Sequence, residues 1–242
     1  MGLLDLPDPI FAAIDGGMES VLPATLRLVV WAAIAGVGTL FLYRLVSPQG
    51  RIANAKREAR TARRRLNDFD GEFSDAGPLI RDQFVSAFRH LGLVFLPTLV
   101  SILPLLALLT WLESHYAHAL PAEGVTPSVE VTPPNSDTPY DARWTREGGG
   151  LRVIVNDASS ELANVAMTAP IPVIEKRQWW NWLAANPLGY LPAESPIERI
   201  AFDLPQPEYL PFGPGWMRHW LAVFFPVMTI VSLLTYRWAK IE

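Results

Sequence analysis

The side chains best suited to chemistry are the histidines, His90, His115, His118 and His219. His115 and His118 stand three residues apart with Glu113 close by, so on a helix they share a face and could hold a metal. No fourth ligand follows from the spacing, and polar residues at a membrane edge explain the trio more simply. The 242 residues include no cysteine, which excludes thiol catalysis, disulfides, Cys-ligated zinc and iron–sulfur clusters. There is no P-loop, no GxSxG and no HExxH. Gly148–Gly150 lacks the strand–Gly–helix setting of a phosphate loop and reads as a turn. The expectation is therefore no catalytic residue, no metal, no cofactor and no enzymatic activity.

The elements that must carry these residues are apolar. Half of the chain is hydrophobic and 18% is charged, against about 25% in an ordinary soluble domain. Low charge also excludes a disordered chain. A membrane span needs about 20 mostly apolar residues. Three segments qualify: 21–46, 91–112 and 216–238. Leu91–Leu112 has no charged residue at all, and Leu28–Tyr43 and Leu221–Thr235 are likewise uncharged. The start of the chain is acidic (Asp5, Asp8, Asp15, Glu19), unlike the basic start of a signal peptide, so the first span reads as retained. No ionisable residue lies deep in a span, so no proton relay is indicated. Arg44 is the one cation in the later half of the first span, and Arg27 near its other end is expected to snorkel.

Charge sets the orientation. Arg51–Arg65 carries Arg51, Lys56, Arg57, Arg60, Arg63, Arg64 and Arg65 against one acid, Glu58. By the positive-inside rule this segment is cytoplasmic, with lipid contact and without a nucleic-acid role. Residues 1–20 and 113–215 are then outside, and the tail 239–242 returns to the cytoplasm.

Segment 47–90 reads as a cytoplasmic helical hairpin. Ile52, Ala59 and Leu66 are seven apart, and Ala55, Ala62 and Phe69 form a second row, giving a short a/d seam. Gly71–Pro78 reads as a turn, after which Ile80, Phe84, Ala87, Phe88 and Leu91 make the facing stripe. An unpaired, solvated linker is the other reading. Pro97 and Pro104 predict a kink in the second span.

The outside segment is different material. Pro121–Pro139 reads as extended linker. Strands are expected at Val129–Thr132, Ala142–Thr145, Leu151–Val155, Asn164–Thr168 and Ile197–Leu204, with a turn at Glu147–Gly150 that makes Asp141–Asn156 a hairpin. The result is a small antiparallel sheet or partial sandwich. In Glu175–Pro192, Trp179, Trp180, Trp182, Leu183 and Tyr190 cluster beside Lys176 and Arg177. A short amphipathic helix on the outer leaflet is the physical reading. Packing on the sheet, or an aromatic platform for a sugar, are the alternatives.

Taken together, the fold class is a three-span α-helical membrane protein with a cytoplasmic helical hairpin and a small β-rich extracytoplasmic domain. The stretches LYRLVSPQGRIANAKREARTARRRL, FRHLGLVFLPTLVSILPLLALLTWL and GPGWMRHWLAVFFPVMTIVSLLTYRWAKI, in this order, resemble the Oxa/YidC insertase superfamily. The likeness is to archaeal YidC-like proteins and the insertase-like third subunit of the ER membrane protein complex. It covers Thr25–Leu112 and Gly213–Ile241 and lies in the order and texture of elements. The resemblance implies a groove open to cytoplasm and lipid that takes polar client segments, with a cation in it, for which Arg44 is the candidate. Two departures stand out. Arg51–His90 has no Met where the family's hairpin is often Met-rich, and about a hundred outside residues separate the last two spans. The resemblance therefore implies an accessory or assembly subunit among other membrane protein subunits of a bacterial inner membrane, with its outside domain in the periplasm. The alternative is a working insertase with client proteins as partners.

Overall fold

The computed structural model describes residues 2–72, 76–133, 140–147, 150–157 and 160–239. Parts of the expected turns (73–75 and 148–149), of the Pro-rich linker (134–139) and of the C-terminal tail with Lys240 lie outside the described residues. The chain divides into two compact units, Met1–Leu28 with Leu106–Phe224, and Val29–Leu105 with Phe225–Glu242.

The first unit holds the strands. These are β1 (Val129–Thr132), β2 (Asp141–Glu147), β3 (Gly150–Asn156), β4 (Glu161–Ala166), β5 (Val173–Glu175) and β6 (Arg199–Phe202). They form two antiparallel three-stranded sheets, ordered β1-β6-β5 and β2-β3-β4. The β2–β3 hairpin runs in register from Asp141 opposite Asn156 to Glu147 opposite Gly150. Alternation decides which side chains go inside: Val153 and Val155, two apart on β3, are both fully buried. Ile174, Ile200 and Phe202 from the other sheet join them in one core with Met167, Leu191 and Ile197. Two inner faces sharing a core is sandwich packing. β5 has no counterpart among the expected strands. It is three residues long, follows Pro172, and offers too short a stretch for alternation to register.

Three helices, α2 (Ala24–Val46), α4 (Gly77–Tyr116) and α6 (Trp220–Ala239), are long and apolar enough to cross a membrane, with windows of mean hydropathy 1.8, 2.4 and 1.5. Before them comes α1 (Asp8–Glu19), a helix that no sequence expectation named. Among the described residues there are also the α-helix α3 (Gln49–Asn67) and the single turn α5 (Gly215–Arg218). α3 is built from strong helix formers, Ala, Arg, Lys and Glu, with Arg64 and Arg65 in the last turn complementing the helix dipole.

α4 carries both the stripe expected after the turn and the expected second span. Residues 77–90 and 91–112 form one unbroken helix of 40 residues, about 60 Å long. Helical bonding continues past Pro97 and Pro104. Ser101 Oγ donates to the Pro97 carbonyl at 2.7 Å and Thr98 Oγ1 to the Val94 carbonyl at 2.8 Å, so side chains supplement the ladder beside Pro97.

In the second unit, α2 and α6 approach closely at Gly36. A Cβ there would stand 3.0 Å from both the Met228 carbonyl oxygen and Ser232 Oγ. Glycine permits this backbone-to-backbone contact, the usual device where helices pack without a hydrophobic driving force.

Candidate functional site

The aromatic segment is placed by the end of β5. Lys176 N donates to the Glu198 carbonyl at 3.2 Å, and Leu191 N donates to the Glu175 carbonyl at 3.0 Å, so both flanks of the segment are tied to the sandwich. Between them Trp179–Trp182 forms a four-residue 3₁₀ helix, shorter than the amphipathic helix expected. Its N-terminus is closed by a reciprocal cap in which Gln178 N donates to Asn181 Oδ1 at 2.6 Å. Asn181 is buried yet fully used, since Nδ2 also reaches the Ala184 carbonyl at 3.4 Å. The cap consumes the one polar side chain turned inward and leaves the indoles outside. Trp179 is 83% exposed, Trp182 58% and Trp180 46%. The Arg177 guanidinium lies 6.0 Å from the centroid of the Tyr190 ring, a cation–π contact. Tyr190 Oη accepts from Asn186 N at 3.1 Å. Lys176, Trp180, Tyr190 and Arg199 border an open cleft of about 430 Å³.

The beginning of the chain lies alongside. Leu3 N donates to the Trp182 carbonyl at 2.9 Å and Leu4 N to the Leu183 carbonyl at 2.8 Å. The Asp5 carboxylate accepts from Gly2 N at 2.6 Å and from Ala185 N at 2.9 Å. A Cβ on Gly2 would fall 2.7 Å from the Leu183 backbone, so only glycine fits there. The aromatic segment and the chain start thus form one structural piece.

A second constellation holds α1 in place. Arg27 Nη1 pairs with Asp15 at 2.5 Å, and the two side chains are 12% and 13% exposed. Tyr116 Oη donates to the other Asp15 oxygen at 2.5 Å, and the Arg27 guanidinium sits 5.6 Å from the centroid of the Tyr116 ring. Tyr209 Oη donates to the Tyr116 carbonyl at 2.7 Å, while Thr25 Oγ1 donates to the Tyr209 carbonyl at 2.9 Å. Burial pushes the Tyr209 hydroxyl up to about 12, with Arg27 pulling it down and Asp15 pushing it up. Arg27 does not snorkel, because a buried carboxylate twelve residues earlier offers a stronger partner than water at the helix end. The Phe11 ring meets Trp111 edge-on at 5.8 Å, so the same face of α1 supplies an apolar contact as well.

The histidines are distributed over other tasks. His115 Nδ1 lies 2.9 Å from the Trp111 carbonyl and 3.0 Å from Ser114 Oγ, with its ring stacked on Trp111. Burial pushes the His118 imidazole down, against the pull of Glu113 and helped by His219. Glu113 accepts from Trp220 Nε1 at 3.2 Å. Among the described residues no group of three His, Asp or Glu could hold a metal. Burial, then Asp5, push the Asp8 carboxyl up, opposed by His115.

In the second unit the seam residues divide. Ile52 and Ala55 are buried, and Ala59, Ala62, Leu66 and Phe69 are half-buried. Phe84 and Phe88, expected to face them, are instead both more than half exposed and stack on each other with ring centroids 6.4 Å apart. The row of α4 that borders α3 is Leu79, Asp82, Ser86, Arg89 and Leu93. The physical reason is polarity: the α3 side chains around the seam include Arg51, Asn54, Arg57, Glu58, Thr61 and Arg65, which suit Asp82, Ser86 and Arg89 better than Phe rings. Glu58 and Arg89 close the pair at 3.0 Å in solvent, a weak contact. Arg44 Nη1 donates to the Ala239 carbonyl at 2.9 Å, so this cation caps the end of α6.

Sequence reasoning missed α1, Asp15, Tyr116 and Tyr209. A signal for α1 existed in the spacing of Leu3, Leu6, Ile10 and Ile14, with prolines at its start. Tyr209 carries none, since it acts through the backbone carbonyl of a residue 93 positions away. No family model, curated protein or solved structure matches this chain.

Proposed function

We propose that this protein is a non-enzymatic integral membrane subunit of YidC-like architecture, an accessory or assembly component of a larger complex in a bacterial inner membrane, with its N-terminus outside and its C-terminus in the cytoplasm. The observation that carries the reading is the outward, stacked pair Phe84–Phe88. The uncharged run Leu91–Leu112 is about 33 Å of helix and by itself fills a hydrocarbon core of about 30 Å. Phe88 and Phe84 therefore fall one and two turns beyond it, among Arg81, Asp82 and Arg89. Exposed stacked rings beside charges favour a partner's apolar surface over water. Arg44 supports the same reading, since its bond to the Ala239 carbonyl commits to a helix end the cation that a client groove would need.

The test is affinity purification of the full-length protein in mild detergent, followed by mass spectrometry. A fixed stoichiometric set of partners is expected, and the double variant Phe84→Ala with Phe88→Ala recovers them severalfold less at unchanged levels of the protein itself. A broad, substoichiometric mixture of newly made membrane proteins would replace this reading with an insertase acting on clients.

A further inference from the structure

α1 is amphipathic in the inverted sense. Two of its three acids turn toward the protein: Asp15 is paired with Arg27 and bonded by Tyr116, and Asp8 is half-buried, while Glu19 at the helix end is exposed. Phe11 meets Trp111, whereas both isoleucines of α1 turn away. Ile10 is 62% exposed and Ile14 43%, four residues apart on one side of α1, and Leu6, in the turn that leads into the helix, is 64% exposed. A helix of a water-soluble protein does the opposite and hides its apolar stripe. No charged residue interrupts the outward sector.

Two neighbours extend this face. The backbone bonds from Leu3 and Leu4 to Trp182 and Leu183 set the start of α1 beside the exposed indoles of Trp179 and Trp182. At the other end only Ser20–Pro23 separate α1 from α2, so the C-terminus of α1 lies within about 18 Å of the start of an apolar helix. An apolar helix of this kind, a pair of exposed Trp and two flanking cations, Lys176 and Arg177, is the combination a lipid headgroup layer accepts. Aliphatic side chains enter the acyl boundary, indoles stay at headgroup depth, and cations meet phosphates. A partner protein's apolar helix would satisfy the stripe but leave both cations facing it.

We propose that the outward face of α1 and the indoles of Trp179 and Trp182 form one surface that lies in the interfacial layer of the bilayer leaflet at this end of the spans. The inference rests on the reading that α2 crosses the membrane. It adds a second mode of attachment to that crossing: unit one rests on lipid through a helix lying in the surface.

The chain has no cysteine, so single labelling sites can be introduced cleanly. The full-length variants Ile10→Cys, Leu6→Cys, Gly16→Cys and Val37→Cys are each labelled with a nitroxide. They are then reconstituted in phosphatidylcholine vesicles containing phosphatidylglycerol. Gly16 is exposed with open space around its Cβ position, away from the apolar sector, and so reports the other side of α1. Power saturation compares collisions with oxygen, which concentrates in lipid, and with a water-soluble nickel chelate. Labels at positions 6 and 10 should favour oxygen severalfold more than the label at 16. Equal accessibility to the chelate at 6, 10 and 16 overturns the proposal in favour of a water-facing helix. Shielding of 6 and 10 from both reagents overturns it in favour of a second copy of the chain. Val37→Cys separates the two readings. If position 37 meets the chelate, the spanning reading itself fails. If 37 favours oxygen and 10 does not, only the present inference fails.

Discussion

Two ion pairs of Arg27 show how burial sets the worth of one contact. Its bond to Asp15 is short and sheltered, whereas Glu19 stands 3.6 Å away with a side chain 69% exposed. Removing one partner of a sheltered pair strands the other charge, a loss of about 3–5 kcal/mol, while a solvent-facing pair is worth about 1 kcal/mol or less. Asp15→Ala also deprives the Tyr116 hydroxyl of its acceptor. Asp15→Ala should therefore lower stability by about 3 kcal/mol or more, and Glu19→Ala by less than about 1 kcal/mol. Thermal unfolding of the two purified variants in detergent checks this, and equal losses would mean that Asp15 is solvated.

At the scale of the element, helix contacts are decided by what side chains allow the backbones to do. Gly36 is such a point, and Gly38 two residues on has open space around it. Gly36→Leu should push α2 off α6 and destabilise the protein by roughly 1–3 kcal/mol, as overpacking does, while Gly38→Leu is tolerated. Comparison of the unfolding midpoints in detergent tests the contrast. The same rule explains which elements could be read from the sequence. The three long apolar helices and the β2–β3 hairpin are legible because a run of twenty apolar residues, or two alternating runs around a Gly turn, has few other solutions. The buried half of the α3 seam, Ile52 and Ala55, is legible for the same reason. Its partner row is not, because Phe84 and Phe88 look like core residues in any periodicity count, whereas the row that borders α3 carries Asp82, Ser86 and Arg89, which such a count passes over. α1 escaped because Ile10 and Ile14 face away from the protein, while Asp8 and Asp15, which read as solvated, lie on the side that packs. The Trp segment was legible as exposed aromatics, but Asn181 was not legible as a buried cap, since its partner is a backbone amide.

For the whole molecule, the proposed orientation rests on the basic run Arg51–Arg65, and the structure refines where to probe it. Ser47, next to the basic run, is buried and a poor reporter, whereas Gly50 and Ala122 are exposed. In intact cells an impermeant maleimide should label Ala122→Cys and spare Gly50→Cys until the membrane is permeabilised; the reverse pattern would invert the topology. A last consequence concerns time. The Asp5 carboxylate bonds to the amide of Ala185, 180 residues further along. At about 5–20 residues per second of synthesis, the chain start is made roughly ten to forty seconds before the backbone it will pair with. During that interval α1 can meet Arg27, and later Trp111 and Tyr116, but the residues before it lack the backbone of 182–185 to rest on. A helix whose greasy side suits lipid has somewhere to wait, and the late arrival of residues 182–185 then fastens it in place.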